Sequence, residues 1–157
     1  MSERRKLFPT AEELRIWRDF IETTEALRSE LASRLQDESS LSLSDYAVLL
    51  ALREAEGHRL RPSELAARIG WQRSRHSHQL GRMERRGMIR REECATDSRG
   101  AEVVLTAGGA EAFRDASVPH LRAVRELFVS PLTPDQLAAV EQIAATLRTR
   151  LEALGRV

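Results

Sequence analysis

The sequence is poor in several residue types. It contains one cysteine and only 4% aromatic residues in 157 positions. A single cysteine excludes an intramolecular disulfide and suits the reducing cytoplasm, which is the compartment that we expect. No run of about 18 apolar residues occurs, so we expect no membrane-spanning helix and no membrane partner. The first ten residues carry charges without a following apolar run, so we expect no signal peptide.

Motifs of catalysis and metal binding are also missing. There is no G-x-S-x-G motif, no P-loop, no pair of cysteine ligands and no nucleophile with a plausible base. His76 and His78 lie two residues apart, so on a helix they point to different sides, unlike an i, i+4 metal pair. We therefore expect neither an enzyme nor a bound metal or other cofactor.

Basic charge, by contrast, is concentrated in one segment. Residues 68–91 hold eight arginines and one acidic residue, a net charge of +7, whereas the whole chain has +1. A basic patch on an otherwise acidic body steers a protein towards polyanions. The alternative is a solvated helix face, but such faces usually mix both signs of charge. The pattern favours nucleic-acid binding.

Two short helices separated by a glycine are predicted in this segment. Pro62 suits the first position of a helix that Gly70 ends. A second helix is predicted from about Arg73 to Arg86, ending at Gly87. Two helices joined by so short a turn form a helix-turn-helix, whose second helix enters the major groove of DNA.

A hairpin is predicted after the second helix. Residues 88–93 and 101–105 are short strand candidates, and the second alternates between apolar and polar positions. Residues 95–100 between them are rich in turn formers. A helix-turn-helix followed by a hairpin is a winged helix.

Helices are also predicted before this centre. Thr10 and Glu13 form a capping box at the start of a long helix over residues 11–36. Ser44 is the predicted cap of the next helix, which is apolar nearly all round and therefore belongs inside the domain.

The C-terminal part is predicted to be helical as well. Thr106 caps a helix that contains Pro119, where we expect a kink or a break, because proline costs about 3 kcal/mol inside a helix. Thr133 begins a second capping box, followed by apolar residues at coiled-coil spacing. An ordinary core-facing helix is the alternative, but both terminal helices exceed what the small centre can cover. The residues expected at a dimer contact are Trp17, Leu137, Val140, Leu147 and Leu151.

These motifs together resemble the MarR (multiple antibiotic resistance regulator) family. The resemblance rests on LSLSDYAVLLAL at 41–52, PSELAARIG at 62–70, RS at 73–74, LGRMERRGMIRR at 80–91, D-S-R at 97–99, LTAGG at 105–109 and VPHLRAVRELF at 118–128. It implies a winged-helix core, a homodimer made by the two terminal helices and binding to a pseudo-palindrome in DNA. It also implies that a small ligand or an oxidant often loosens DNA binding.

The sequence departs from the family pattern at several positions. Arg61 and Gln72 stand at helix-cap positions where the family usually has Ser or Thr. His76 and Gln79 stand where the family usually has apolar residues, and Trp71 can refill that volume.

Candidate DNA contacts follow from the helix-turn-helix geometry and from the resemblance. Arg75 and His78 are the candidates for base edges, since arginine can grip guanine with two hydrogen bonds. Arg99 matches the family's wing arginine and would enter the minor groove, held by Asp97. An exposed, turn-stabilising ion pair is the alternative for these two wing residues. The candidates for phosphates or bases are Gln72, Arg73, Ser74, Ser77 and Arg82.

Two other residues have candidate roles. His120 is expected to line the cleft between the dimer helices and the DNA-binding lobe, where ligands of the family sit, or simply to fill that interface. Cys94 lies near two arginines that could lower its pKa and make it oxidisable, although a small apolar role is the preferred interpretation.

The sequence therefore predicts a mainly α protein with a small β-hairpin wing, in one domain over residues 1–157. A winged helix-turn-helix core at 43–105 is flanked by dimerisation helices at 11–36 and 107–154. The predicted function is sequence-specific regulation of transcription, with repression preferred to activation. The expected partners are double-stranded DNA, a second copy and a small aromatic or phenolic effector. Two alternatives stay open: a winged-helix module that binds protein without reading DNA, and a ligand-inert architectural protein that binds DNA without sequence preference.

Overall fold

The computed structural model describes residues 8–70, 73–94 and 97–155, and the side chains of residues 73–77, 94 and 97–99 lie outside that description. The chain is mainly helical with one small sheet, as predicted. Its elements are α1 (Ala11–Ser39), α2 (Leu43–Glu54), β1 (Arg59–Leu60), α3 (Pro62–Ile69), α4 (Arg73–Arg85), β2 (Ile89–Cys94), β3 (Asp97–Leu105), α5 (Ala107–Val124) and α6 (Pro134–Ala153).

The predicted capping box of α1 is present. The Thr10 hydroxyl accepts from the Glu13 amide at 3.2 Å, and the Glu13 carboxylate accepts from the Thr10 amide at 2.7 Å. The helix runs three residues beyond the predicted end at residue 36 and stops at Ser40, whose φ is +58°. Among its residues only Leu35 is buried. Most of α1 is therefore not covered by its own chain.

The predicted cap of α2 was wrong. Ser42, not Ser44, is the N-cap, because its hydroxyl accepts from the Asp45 amide at 3.0 Å. The Asp45 carboxylate accepts from the Ser42 amide in return, at 3.1 Å. The prediction that this helix lies inside the domain is confirmed, since Val48 and Leu52 are fully buried.

The sheet has three antiparallel strands in the order β1-β3-β2. Strand β1 was not predicted, because two residues are too few to show an alternation. Strand β3 begins at Asp97, four residues earlier than predicted, so part of the expected turn is strand. The Arg59 guanidinium joins the strands, lying 3.3 Å from the Glu102 carboxylate and 3.6 Å from that of Glu92.

Helix α5 continues through Pro119, so of the predicted kink or break the break does not occur. Ala116 and Ala123 are buried on either side of the proline, so packing keeps both halves in one helix. A short π-helical turn, Arg125–Val129, follows. The predicted second capping box is present in α6, where Thr133 and Gln136 exchange hydrogen bonds.

One apolar core joins α2, α3, α4 and the sheet. Its fully buried large side chains are Leu41, Leu49, Leu52, Leu65, Leu80, Met83 and Ile89, with Val48 and Val103. The described helices include none that is long and apolar enough to cross a bilayer.

Candidate nucleic-acid interface

Helices α3 and α4 form the predicted helix-turn-helix. Helix α3 buries Leu65 and ends at Gly70, which has a φ of +67° that favours glycine. Helix α4 packs on the core through Leu80 and Met83, which are 2% and 0% exposed. Because this apolar side faces inwards, the polar side of α4 faces solvent.

The structure places the predicted DNA contacts on α4 as far as it describes them. His78 and Arg82 are four residues apart, one turn along the helix. Gln72 lies outside the described residues. The backbone of the first turns of α4 contains four further candidates, whose side chains lie outside the description: Arg73, Ser74, Arg75 and Ser77.

The arginines near the end of α4 differ in what they contact. Arg86 lies 2.8 Å from the Asp45 carboxylate, and Arg91 lies 3.8 Å from that of Glu84. Arg82 donates instead to the neutral side-chain amide of Gln79. Arg85 is exposed and has no acidic partner among the residues that the structure describes. No carboxylate among the described residues therefore neutralises the charge of Arg82 or Arg85, and an external anion can pair with each.

The wing extends from this region as the β2–β3 hairpin. The strands pair from Ile89 opposite Leu105 as far as Cys94 opposite Asp97, with a register shift between Glu93 and Cys94. Asp97 and Arg99 belong to β3, but their side chains, like that of Cys94, lie outside the description. The proposed minor-groove contact and the cysteine chemistry thus remain predictions.

Two buried polar residues behind α4 were not predicted as functional. Asp45 is 4% exposed and Gln79 is 6% exposed, and the Gln79 amide donates to the Asp45 carboxylate. The sequence held a signal for each: Asp45 follows the capping serine Ser42 by three residues, and Gln79 replaces an apolar residue of the family pattern. Their hydrogen bond joins residues 34 positions apart, and no periodic pattern in the sequence predicts such a contact.

The residues predicted for dimerisation lie on exposed parts of the chain. Trp17 in α1 is 59% exposed, and Leu147 in α6 is 50% exposed. Val140 and Leu151 are also exposed, whereas Leu137, at the start of α6, is half-buried. These apolar side chains form surfaces that their own chain leaves open to solvent.

His120 lies in α5 against α2. Its ring centroid is 4.5 Å from that of Tyr46, which in turn lies 5.1 Å from the ring of Phe113. The Tyr46 hydroxyl donates to Ser117 at 3.3 Å. The Nδ1 atom of His120 is buried without a hydrogen-bond partner in the described part of the chain. Burial also lowers the pKa of His120, so the imidazole favours its neutral form.

Comparison with known proteins gives matches over the centre of the chain and over nearly its whole length. The family model described as "MarR family" matches residues 39–100. The transcriptional repressor MprA of Escherichia coli K12 is 31% identical over 107 residues, which are 68% of this chain. The alignment spans only 60% of the length of MprA.

Two solved structures match over nearly their whole length. Sco3205, a MarR family transcriptional regulator from Streptomyces coelicolor determined in complex with DNA, is 36% identical with a TM-score of 0.87. The match covers 92% of this chain and 91% of Sco3205. AbsC, a MarR family regulator from the same organism, is 35% identical with a TM-score of 0.87, covering 93% of this chain and 98% of its own.

Proposed function

Because the chain belongs to the MarR family of transcriptional regulators, we propose that it represses transcription by binding a pseudo-palindromic DNA operator as a homodimer. Family membership confirms the predictions of a winged-helix regulator and of a chain that is not an enzyme. Repression is supported by the name of the relative MprA, and DNA binding by the complex in which Sco3205 was determined.

One observation carries the proposal, namely the basic side of α4 that faces away from the core. Arg82 and Arg85 lie there without acidic partners in the described residues, whereas nearby arginines are paired with carboxylates. Cationic side chains that are not neutralised within the protein can displace counterions from DNA phosphates, which drives association.

We assign the contacts along α4 and the wing as the sequence suggests. The first turns of α4 would reach base edges, with Arg75 and His78 reading them. Arg99, supported by Asp97, would enter the minor groove. The side chains proposed for phosphate or base contacts are Gln72, Arg73, Ser74, Ser77 and Arg82.

A homodimer is proposed from the open apolar surfaces of the terminal helices. Trp17, Leu147 and Leu151 are between 42% and 59% exposed, and their burial against a second copy would remove apolar area from water. A two-fold dimer would place its two copies of α4 in successive major grooves, about 34 Å apart. The division into dimerisation helices and a DNA-binding lobe at 43–105 is part of this proposal.

An effector that releases DNA is proposed to bind beside His120. The rings of Tyr46 and Phe113 offer apolar surface, and the unpartnered His120 Nδ1 offers one polar contact. Ligand sites typically combine apolar walls with few polar groups. A small aromatic or phenolic compound fits this chemistry.

Since a transcriptional operator lies on the chromosome, we also propose that the protein acts in the cytoplasm.

Selection of bound sequences from random duplex DNA would test the proposal. We expect a two-fold symmetric site whose affinity falls linearly with the logarithm of salt concentration. Repeating the selection with phenolic compounds would reveal release. Failure to enrich any duplex at low salt, with the protein folded, would contradict the proposed function.

A further inference from the structure

Two buried polar side chains connect α4 to α2. Asp45 and Gln79 are the buried polar or charged residues within the described part of the chain, at 4% and 6% exposure. The Gln79 side-chain Nε2 donates to Asp45 Oδ1. A buried polar group is costly unless it is hydrogen-bonded, so this contact ties the two helices at one defined point.

The chemistry of the groups fixes the direction of this contact. A carboxylate only accepts hydrogen bonds and a guanidinium only donates them, whereas an amide does both at different atoms. The Gln79 nitrogen faces Asp45, and its oxygen accepts from Arg82 Nη2. A flipped amide would set donor against donor and acceptor against acceptor. The chain of contacts therefore has one arrangement.

The other carboxylate oxygen of Asp45, Oδ2, also accepts hydrogen bonds. Oδ2 accepts from Arg86 Nη1 at 2.8 Å and from the Ser42 amide at 3.1 Å. Arg86 also donates to the Ser40 carbonyl at 2.7 Å. Asp45 is thus a fixed acceptor at the start of α2, and two side chains of the α4 segment are anchored to it.

Apolar packing alone does not fix the rotation of α4 about its axis. Leu80 and Met83 hold α4 on the core, but the hydrophobic effect is not directional. Hydrogen bonds depend on distance and angle. The contacts of Asp45 with Gln79 and Arg86 can therefore fix the rotation of α4 about its axis, which decides where its exposed side chains point.

We propose that Asp45 and Gln79 are positioning residues for DNA recognition, which orient α4 and hold Arg82 without touching DNA themselves. This inference rests on the proposed function. Gln79 replaces an apolar residue of the family pattern. Its amide bonds to the buried Asp45 carboxylate on one side and to the Arg82 guanidinium on the DNA-facing side, so the position of Asp45 fixes that of Arg82.

Exchange of the two functional groups tests the proposal. Gln79→Glu sets two carboxylates against each other. Adding Asp45→Asn restores the contact in reverse, because the asparagine nitrogen can donate to the new carboxylate on α4 while its oxygen still accepts from Arg86 and Ser42. We expect Gln79→Glu to weaken binding to the selected operator by about tenfold or more. The double variant should regain part of that loss, because α4 is oriented again although the carboxylate that replaces the Gln79 amide still lies beside Arg82.

A second double variant separates orientation from charge. Gln79→Glu with Glu84→Gln has the same net charge as the double variant above, and Glu84 also lies in α4, but the two carboxylates still face each other. We expect little recovery from it. Equal recovery by both double variants would mean that added negative charge explains the loss, and would overturn the proposal.

The ratio of operator affinity to random-DNA affinity is the decisive readout, measured beside the thermal midpoint and the oligomeric state. A misoriented α4 loses base contacts more than phosphate contacts, so we expect Gln79→Glu to lower this ratio. An unchanged ratio, or an Asp45→Asn, Gln79→Glu variant that is unfolded or binds no better than Gln79→Glu, would overturn the inference. If the wild type binds no duplex, the proposed function fails instead, and recovery of amide-exchange protection in α4 by the exchanged pair still tests the contact.

Discussion

Gly109, in the first turn of α5, lies directly against the carbonyl oxygen of Met88, where the chain leaves α4 for the wing. A β-carbon at Gly109 would be 2.0 Å from that oxygen and 2.9 Å from the Leu105 side chain. Thr106 adds two contacts at the same place, donating from its amide to Met88 at 3.2 Å and from its hydroxyl to the Gly87 carbonyl. The start of α5 is thereby joined to the base of the wing through backbone atoms and the Thr106 hydroxyl.

Gly109→Ala should therefore destabilise the protein. The methyl group would collide with backbone that cannot rotate away, and overpacking of this kind typically costs about 1–3 kcal/mol or more. Gly81→Ala is the matched control, since a β-carbon there meets nothing within 4 Å in the described structure. That change in a helix should stabilise by roughly 0.5–1 kcal/mol. Urea unfolding measures the stability of both variants, and equal unfolding midpoints would contradict the packing argument.

Arg82→Gln should reduce the salt dependence of DNA binding. Its guanidinium contacts a neutral amide, so its charge remains available for a phosphate. Each lost phosphate contact lowers the slope of log affinity against log salt by about 0.9. Arg114→Gln removes an exposed arginine from α5 and should leave the slope unchanged. The slopes are obtained from DNA affinities measured over a range of salt concentrations. Identical slopes for the two variants would exclude Arg82 as a phosphate contact.

Arg75→Ala and Arg99→Ala should each weaken operator binding by about tenfold or more, because a good arginine–base contact discriminates by about 1–3 kcal/mol. The dimer should stay intact in both. Gel-shift titration with the selected operator measures the affinity, and sedimentation measures the dimer. Wild-type affinity in both variants would remove these two residues from the proposed interface.

Local signals predicted the helices well, and non-local contacts escaped prediction. The capping boxes at Thr10 and Thr133 depend on residues three positions apart, so the sequence displays them directly. Ser42 was missed because Ser44 offered the same hydroxyl two residues later. Of the two outcomes predicted at Pro119, a kink or a break, the break does not occur, because packing on both sides of the proline outweighs the local cost.

The basic character of α4 was equally visible in the sequence, since charge can be counted without a fold. The hydrogen bond that supports this helix from the core side could not be predicted from the sequence. Gln79 and Asp45 are brought together only when α2 and α4 pack on the same core. Strand β1 exists for a similar reason, because its two residues become a strand only by pairing with β3.

Leu147→Glu should dissociate the proposed dimer. Leu147 is 50% exposed on α6 in line with the other apolar residues of the helix, and an unpaired carboxylate at a buried contact costs several kcal/mol. We expect the dimer dissociation constant to rise by roughly a hundredfold or more. Thr149→Glu, on a different side of α6, is the control. Sedimentation equilibrium distinguishes the outcomes, and a Leu147→Glu protein as dimeric as the control would place the interface elsewhere.

His120→Phe should make the stability of the protein less sensitive to mild acid. Burial lowers the pKa of His120 below its ordinary value of 6.5, so the folded state holds the neutral imidazole. Above that value the ring is neutral in both states. As the pH falls below it, the unfolded chain takes up the proton first, and the stability of the fold declines. Phenylalanine keeps a ring beside Tyr46 and cannot titrate, while His58, His76 and His78 remain in both proteins. Urea midpoints measured about one pH unit above and one below that ordinary value should therefore differ more in the wild type than in the variant, and equal differences would show that His120 titrates as it does in the unfolded chain.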